Sequence, residues 1–256
     1  MKTIGSTIIM LALASSLFAD NGKELKLASP DGTHEIVFYQ KQVSPAVNEL
    51  CYRVDYKSQP VVNESRAGLE LDNRIWEMAL GVRNLKQPAC WMDNLEVDSV
   101  TYQPETNLTW QPLYGERSSV RDHYRAGTLC LSKKDNSGYR LNIEVRAYNE
   151  GVAFRYFFPE HPKAIFHKVV GDLTEYALPA GTKAWTEQWA QAFFERLNID
   201  DIKHPVERAL TFELPNGKWA ALADADVDDW CLTKYLVSTD NCLLYTSPSP
   251  RDRQKS

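Results

Sequence analysis

Asp224, Asp226 and Asp228 are the first residues whose type and spacing could do chemistry. Alternating aspartates at positions one, three and five open an EF-hand calcium loop. The sixth position of such a loop needs Gly, and here it is Asp229; the twelfth needs a bidentate Glu, and here it is Tyr235. The run therefore reads as solvated charge at a strand end. The histidines His34, His123, His161, His167 and His204 form neither an HExxH nor a paired-ligand spacing. No GxSxG elbow accompanies them, so nothing local marks a hydrolase triad. Cys51, Cys90, Cys130, Cys231 and Cys242 lack the close spacing of a zinc knuckle or a CxxC motif. The aromatic complement is large, with 7 Trp, 12 Tyr and 9 Phe. Most such rings are core, and a few could form sugar-stacking faces.

The elements that would position these residues read almost entirely as strand. Leu141, Ile143, Val145 and Ala147 alternate with Asn142, Glu144, Arg146 and Tyr148, and the period of two resumes at Val152, Phe154, Tyr156 and Phe158. Asn149-Glu150-Gly151 between them predicts a tight turn with Gly151 free to take a positive φ. Similar alternation recurs along the chain between turns such as Ser29-Pro30-Asp31-Gly32, Lys57-Ser58-Gln59-Pro60 and Pro215-Asn216-Gly217. Thr186 to Lys203 is the least strand-like part and reads as an irregular loop with a helical turn. The expectation is an all-β chain, one large antiparallel sandwich.

The 256 residues carry a net charge of −5 and no run of Lys and Arg, which argues against a nucleic-acid partner. Residues 1–19 read as a signal peptide: Lys2, the apolar run Ile8 to Ala14, and small residues up to Ala19. The mature chain is expected to have no membrane span and to be exported, periplasmic or associated with the outer membrane. Cys242 to Asp252, CLLYTSPSPRD, matches one translated frame of a transposase-based sequencing adapter. Residues 242–256 are accordingly set aside as a non-native tail, and 25–241 as the domain.

Within that domain stand SPDG at Ser29 to Gly32, YRVDYKSQPVVNESRAGLEL at Tyr52 to Leu71, and WQPLYGERSSVRDHYRAGTLCL at Trp110 to Leu131. RAYNEGVAFRYFFPE follows at Arg146 to Glu160, then EYALPAGTKAW at Glu175 to Trp185 and ALADADVDDW at Ala221 to Trp230. This ordered set resembles the N-terminal domain of glycoside hydrolase family 97. The resemblance implies a galactose-mutarotase-like super-β-sandwich from an exported calcium-dependent enzyme of Bacteroidetes-type bacteria. Such enzymes cleave α-glucosidic or α-galactosidic bonds in α-linked oligosaccharides. The catalytic carboxylates would lie on a (β/α)8 barrel that this chain does not contain, so no catalytic residue is assigned here. The family's aromatic-Glu pair after the AW motif matches Phe194-Glu195 and implies Glu195 as a Ca²⁺ ligand, with Glu187 as the competing alignment. Arg125-Ala126-Gly127 and Asp224-Ala225 depart from the family pattern and imply a divergent subgroup.

Overall fold

The structure is a computed structural model that describes residues 23–72, 78, 81, 90–134, 137–163, 166–225, 227, 230, 232–239 and 242–246. Residues 1–19, read above as a signal peptide, lie outside them. Every strand pairing is antiparallel. A first sheet orders β1 (Glu24–Ala28), β2 (His34–Ser44), β3 (Val47–Tyr56) and β4 (Gln59–Arg66) as a meander. After the short β5 (Leu69–Leu71), a second sheet forms from β6 (Leu95–Tyr102), β7 (Thr106–Trp110), β8 (Val120–Lys133), β9 (Arg140–Tyr148) and β10 (Gly151–Phe157). Its order is β10-β9-β8-β6, with β7 also on β8. Then β11 (Val169–Asp172) pairs with β5.

Two further sheets complete the fold from β12 (Glu175–Ala177), β13 (Lys183–Thr186), β14 (Glu195–Asn198), β15 (Val206–Glu207), β16 (Leu210–Glu213), β17 (Trp219–Leu222), β18 (Lys234–Thr239) and β19 (Cys242–Thr246). One is ordered β12-β19-β18-β15 and the other β14-β13-β16-β17. The all-β sandwich expected from the alternation is what forms.

The alternating faces close onto one core. Leu141, Ile143 and Ala147 of β9 are fully buried and Val145 nearly so, as their period of two requires. Phe38 of β2 stacks on Tyr52 of β3 at 5.2 Å and meets Phe154 of β10 edge-on at 5.2 Å. These rings join the first sheet to the second. Tyr52 donates its hydroxyl to the Glu175 carbonyl, so this buried ring leaves no polar atom unpaired. The sheets also approach closely at Gly127, where a Cβ would come within 2.7 Å of Leu25 Cδ1.

Three local expectations need correction. Gly151 is not at positive φ; it is the ladder partner of Tyr148 and belongs to β10. Non-glycine residues take up the left-handed region at Lys57-Ser58, at φ 51° and 59°, with Tyr56 paired to Gln59. Gln59 and Pro60 therefore belong to β4 rather than to the turn. That is a type I′ hairpin built from side chains that disfavour it. Ser58→Gly is expected to stabilise the protein by about 0.5–1 kcal/mol, read as a shift in the urea midpoint at constant slope.

The stretch Thr186 to Lys203, expected as irregular, contains β14 as well as a 3₁₀ turn at Ile199–Asp201. Cys242–Thr246 pairs as β19 between β12 and β18. CLLYT is apolar and β-prone, and Leu243 is fully buried there.

Candidate functional site

β13 and β14 form a hairpin whose connection runs from Glu187 to Phe194. Thr186 pairs with Glu195 at its base, and the Thr186 hydroxyl donates to the Glu195 carbonyl at 3.2 Å. A turn inside the connection is closed by Ala192 N–H donating to the Trp189 carbonyl at 2.8 Å. Three large rings stand in solvent here: Trp189, Phe193 and Phe194, the last two 93% and 66% exposed. Isolated exposed rings are ordinary, but three on one connection make a patch of the kind that contacts another molecule or domain.

Glu195 is exposed, and no ion pair involves its carboxylate among the described residues. Glu187 sits at the other end of the connection, half-buried. It lines an open groove of about 480 Å³ together with Glu207, Arg208, Asp224 and Leu232. The Glu187 carbonyl accepts the Glu207 amide at 2.8 Å. Glu207 is held by Lys234 at 2.7 Å, and Asp224 by Arg208 at 3.8 Å and by the Thr233 amide at 3.2 Å. Two of the groove's three carboxylates are thus already neutralised by cations. Asp224 is half-buried and paired, not merely solvated charge at a strand end; Asp226, Asp228 and Asp229 lie outside the described residues.

The histidines are separately engaged. His161 donates from Nε2 to the Ser137 carbonyl at 2.8 Å, while its Nδ1 accepts the Lys163 amide at 3.0 Å. Burial, with His161 nearby, pushes His167 down to about 4. His123 lies 2.7 Å from Glu105, which also holds Arg125 at 3.0 Å. Among the described residues, no three His, Cys, Asp or Glu converge as metal ligands. Cys51, Cys90 and Cys130 are free thiols, the Cys242 thiol donates to the Leu243 carbonyl at 3.8 Å, and Cys231 lies outside the described residues.

The structure also reveals a buried carboxyl that the sequence left unmarked. Asp172, 6% exposed, accepts the Thr174 amide at 2.9 Å and the Thr174 hydroxyl at 2.6 Å on one oxygen. Tyr156 shares the network through a 2.5 Å contact with the same hydroxyl. Burial still wins over these two hydrogen bonds, with Asp224 adding to it, and raises Asp172 to about 6.

Comparison with known proteins now bears on this geometry. The description of the glycosyl-hydrolase 97 N-terminal family matches residues 27–250. A retaining alpha-galactosidase of Bacteroides thetaiotaomicron is 26% identical over 178 residues, 70% of this chain and 22% of that protein. A glycoside hydrolase family 97 enzyme from Pseudoalteromonas sp. strain K8, solved with panose, superposes with a TM-score of 0.74 at 22% identity. The match covers 87% of this chain and 32% of that one. A beta-arabinopyranosidase superposes at 0.68 and 18% identity, over 87% of this chain and 35% of its own. The chain thus spans about a fifth to a third of the relatives it matches, and the structural likenesses carry the fold.

Proposed function

Because the chain belongs to the glycosyl-hydrolase 97 N-terminal family, we propose that it is the non-catalytic sandwich of an exported, calcium-dependent α-glycosidase. The substrate class is an α-glucoside or an α-galactoside. The family match across residues 27–250 carries this reading. In it the sandwich buttresses a (β/α)8 barrel, and the barrel bears the acid and its partner carboxylate. The exposed connection Glu187 to Phe194 supports the reading from the structural side, since a bare aromatic patch suits a domain contact.

Calcium takes about six to eight oxygen ligands, and among the described residues no such set converges. Glu195 fits as a single contributor: it is a hard carboxylate, exposed, at the end of a rigid strand, beside the aromatic connection. The remaining ligands would come from the barrel. Bound there, the ion would supply electrostatic stabilisation next to the substrate. Glu195 itself would hold it through one or two oxygens, with Thr186 fixing its backbone.

The test begins with the longer DNA contig. A reading frame running on past Asn241 into a barrel supports the enzyme reading. A native stop codon close after Asn241 replaces it with a stand-alone carbohydrate-binding sandwich. The 256-residue chain alone is expected to give no turnover of p-nitrophenyl α-glucoside or α-galactoside, and turnover above buffer overturns the non-catalytic assignment. In the full-length enzyme, Glu195→Gln is expected to weaken Ca²⁺ affinity by about tenfold or more in calorimetry. Unchanged affinity would move the ligand role to Glu187.

A further inference from the structure

The outward face of the sheet β14-β13-β16-β17 has an arrangement that neither the core nor the calcium reading uses. Register places Asn198, Lys183, Glu213 and Trp219 in one row across the strands, and Arg196, Trp185, Thr211 and Ala221 in the next-but-one. The row between them, Leu197, Ala184, Phe212 and Ala220, turns inward, with Ala184 and Phe212 buried. By the alternation of strands the two outer rows therefore share the solvent side.

On that side the Trp185 and Trp219 rings are in contact, with centroids 4.5 Å apart and planes tilted at 32°. The Arg196 guanidinium lies 5.0 Å from the centre of the Trp185 ring. Arg196 also reaches across β13 to Glu213, Nη2 to Oε2, at 2.5 Å. Trp185 is half-buried in the middle of this set, whereas Trp219, on the edge strand, is 58% exposed.

A tryptophan on an edge strand with most of its surface in water adds little to the core, which β17 meets through Ala220 and Leu222. The Arg196–Glu213 pair fixes donors and acceptors next to it. An apolar ring face beside a rigid set of donors and acceptors is the complement of a pyranose. A sugar ring offers a C–H face for stacking and a rim of hydroxyls that both give and accept hydrogen bonds. A nucleic acid is disfavoured by the net charge of −5. A wholly apolar partner would bury the Arg196–Glu213 pair at a desolvation cost.

From this arrangement we infer that the face is a binding platform for a pyranose unit of an α-linked oligosaccharide, stacked on Trp219 and hydrogen-bonded by Arg196 and Glu213. The inference rests on the family reading only for the choice of α-linked probes. It is independent of Glu195 and of the barrel.

The test is titration of the 256-residue chain with maltoheptaose and, separately, with stachyose, followed by calorimetry and by ligand-observed NMR. Saturable binding with a Kd on the order of millimolar is expected for at least one of them. Trp219→Ala is expected to weaken it about tenfold, and Trp219→Phe by no more than about threefold. Glu213→Gln, which keeps the side chain's size, is expected to weaken it about threefold. The thermal midpoint of each Trp219 variant should match that of the parent, because Trp219 is an exposed edge residue. Lack of saturable binding to either sugar at about 50 mM overturns the platform. So does binding that Trp219→Ala leaves unchanged. None of these outcomes alters Ca²⁺ affinity or turnover in the full-length enzyme, so a failed platform is distinguishable from a failed family assignment.

Discussion

Asp172→Asn is expected to stabilise the protein by about 1–3 kcal/mol at pH 8 and to have no effect near pH 3. The folded state holds the Asp172 proton up to about 6, whereas an exposed aspartate releases it at 3.8. The folded state thus binds the proton more tightly. Below about pH 3 both states are protonated, and the carboxyl costs nothing. As pH rises from 3.8 to about 6, the unfolded chain ionises freely while the folded chain resists, and stability falls. Above about pH 7 the full cost persists, up to about 3 kcal/mol at about 1.4 kcal/mol per tenfold. Asn keeps the oxygen that accepts from the Thr174 amide and hydroxyl but never ionises. Its amide needs an acceptor that the carboxylate did not, which pulls the expected gain below the maximum. Urea titrations of both proteins from pH 3 to pH 8 check this. Parallel curves across that range would show that Asp172 does not titrate as its surroundings demand.

The second large effect concerns β19. Leu243 is fully buried and Cys242 nearly so, between β12 and β18. Leu243→Ala is expected to cost about 2–5 kcal/mol, a large share of a domain's usual stability. Ending the chain at Asn241 removes the strand, its two ladders and that side chain together, and should abolish the cooperative transition of this sheet. Amide exchange reports it directly. Leu236 and Val237 pair with Leu244 and Leu243, so their amides should lose protection, while β9 keeps its own. Retained protection at Leu236 would show that β18 is held by other contacts.

The hairpin at Leu141 to Phe158 is legible because both its strands alternate: the apolar face of β9 is buried, and Val152, Phe154 and Tyr156 of β10 pack partly buried against the same core. Its turn is less legible: Gly151 permits a positive φ, but its ladder partnership with Tyr148 sets its backbone. β14 was missed for a related reason. Glu195-Arg196-Leu197-Asn198 has little strand character of its own, and it is extended because β13 offers an edge to pair with. Tertiary context outweighs propensity there.

Of the candidate site, Glu195 was named from resemblance alone, since a single exposed Glu carries no spacing signal. Asp172 was unmarked because its burial depends on Thr174, Tyr156 and Asp224 closing around it. The Trp185–Trp219 contact is hidden in the sequence for the same kind of reason. The two rings meet only through the order β13-β16-β17, which no local pattern reports.

The place of β19 in its sheet has a practical consequence. Five short, apolar, β-prone residues fill a slot whose walls are the backbone edges of β12 and β18. Backbone edges recruit by hydrogen bonding, with little regard for the exact side chains. A shortened protein would therefore expose two sticky edges and tend to self-associate. An extended apolar peptide added in trans should seat in the slot and restore the monomer. Any choice of end point for producing this domain should accordingly retain a strand at this position, whatever its sequence.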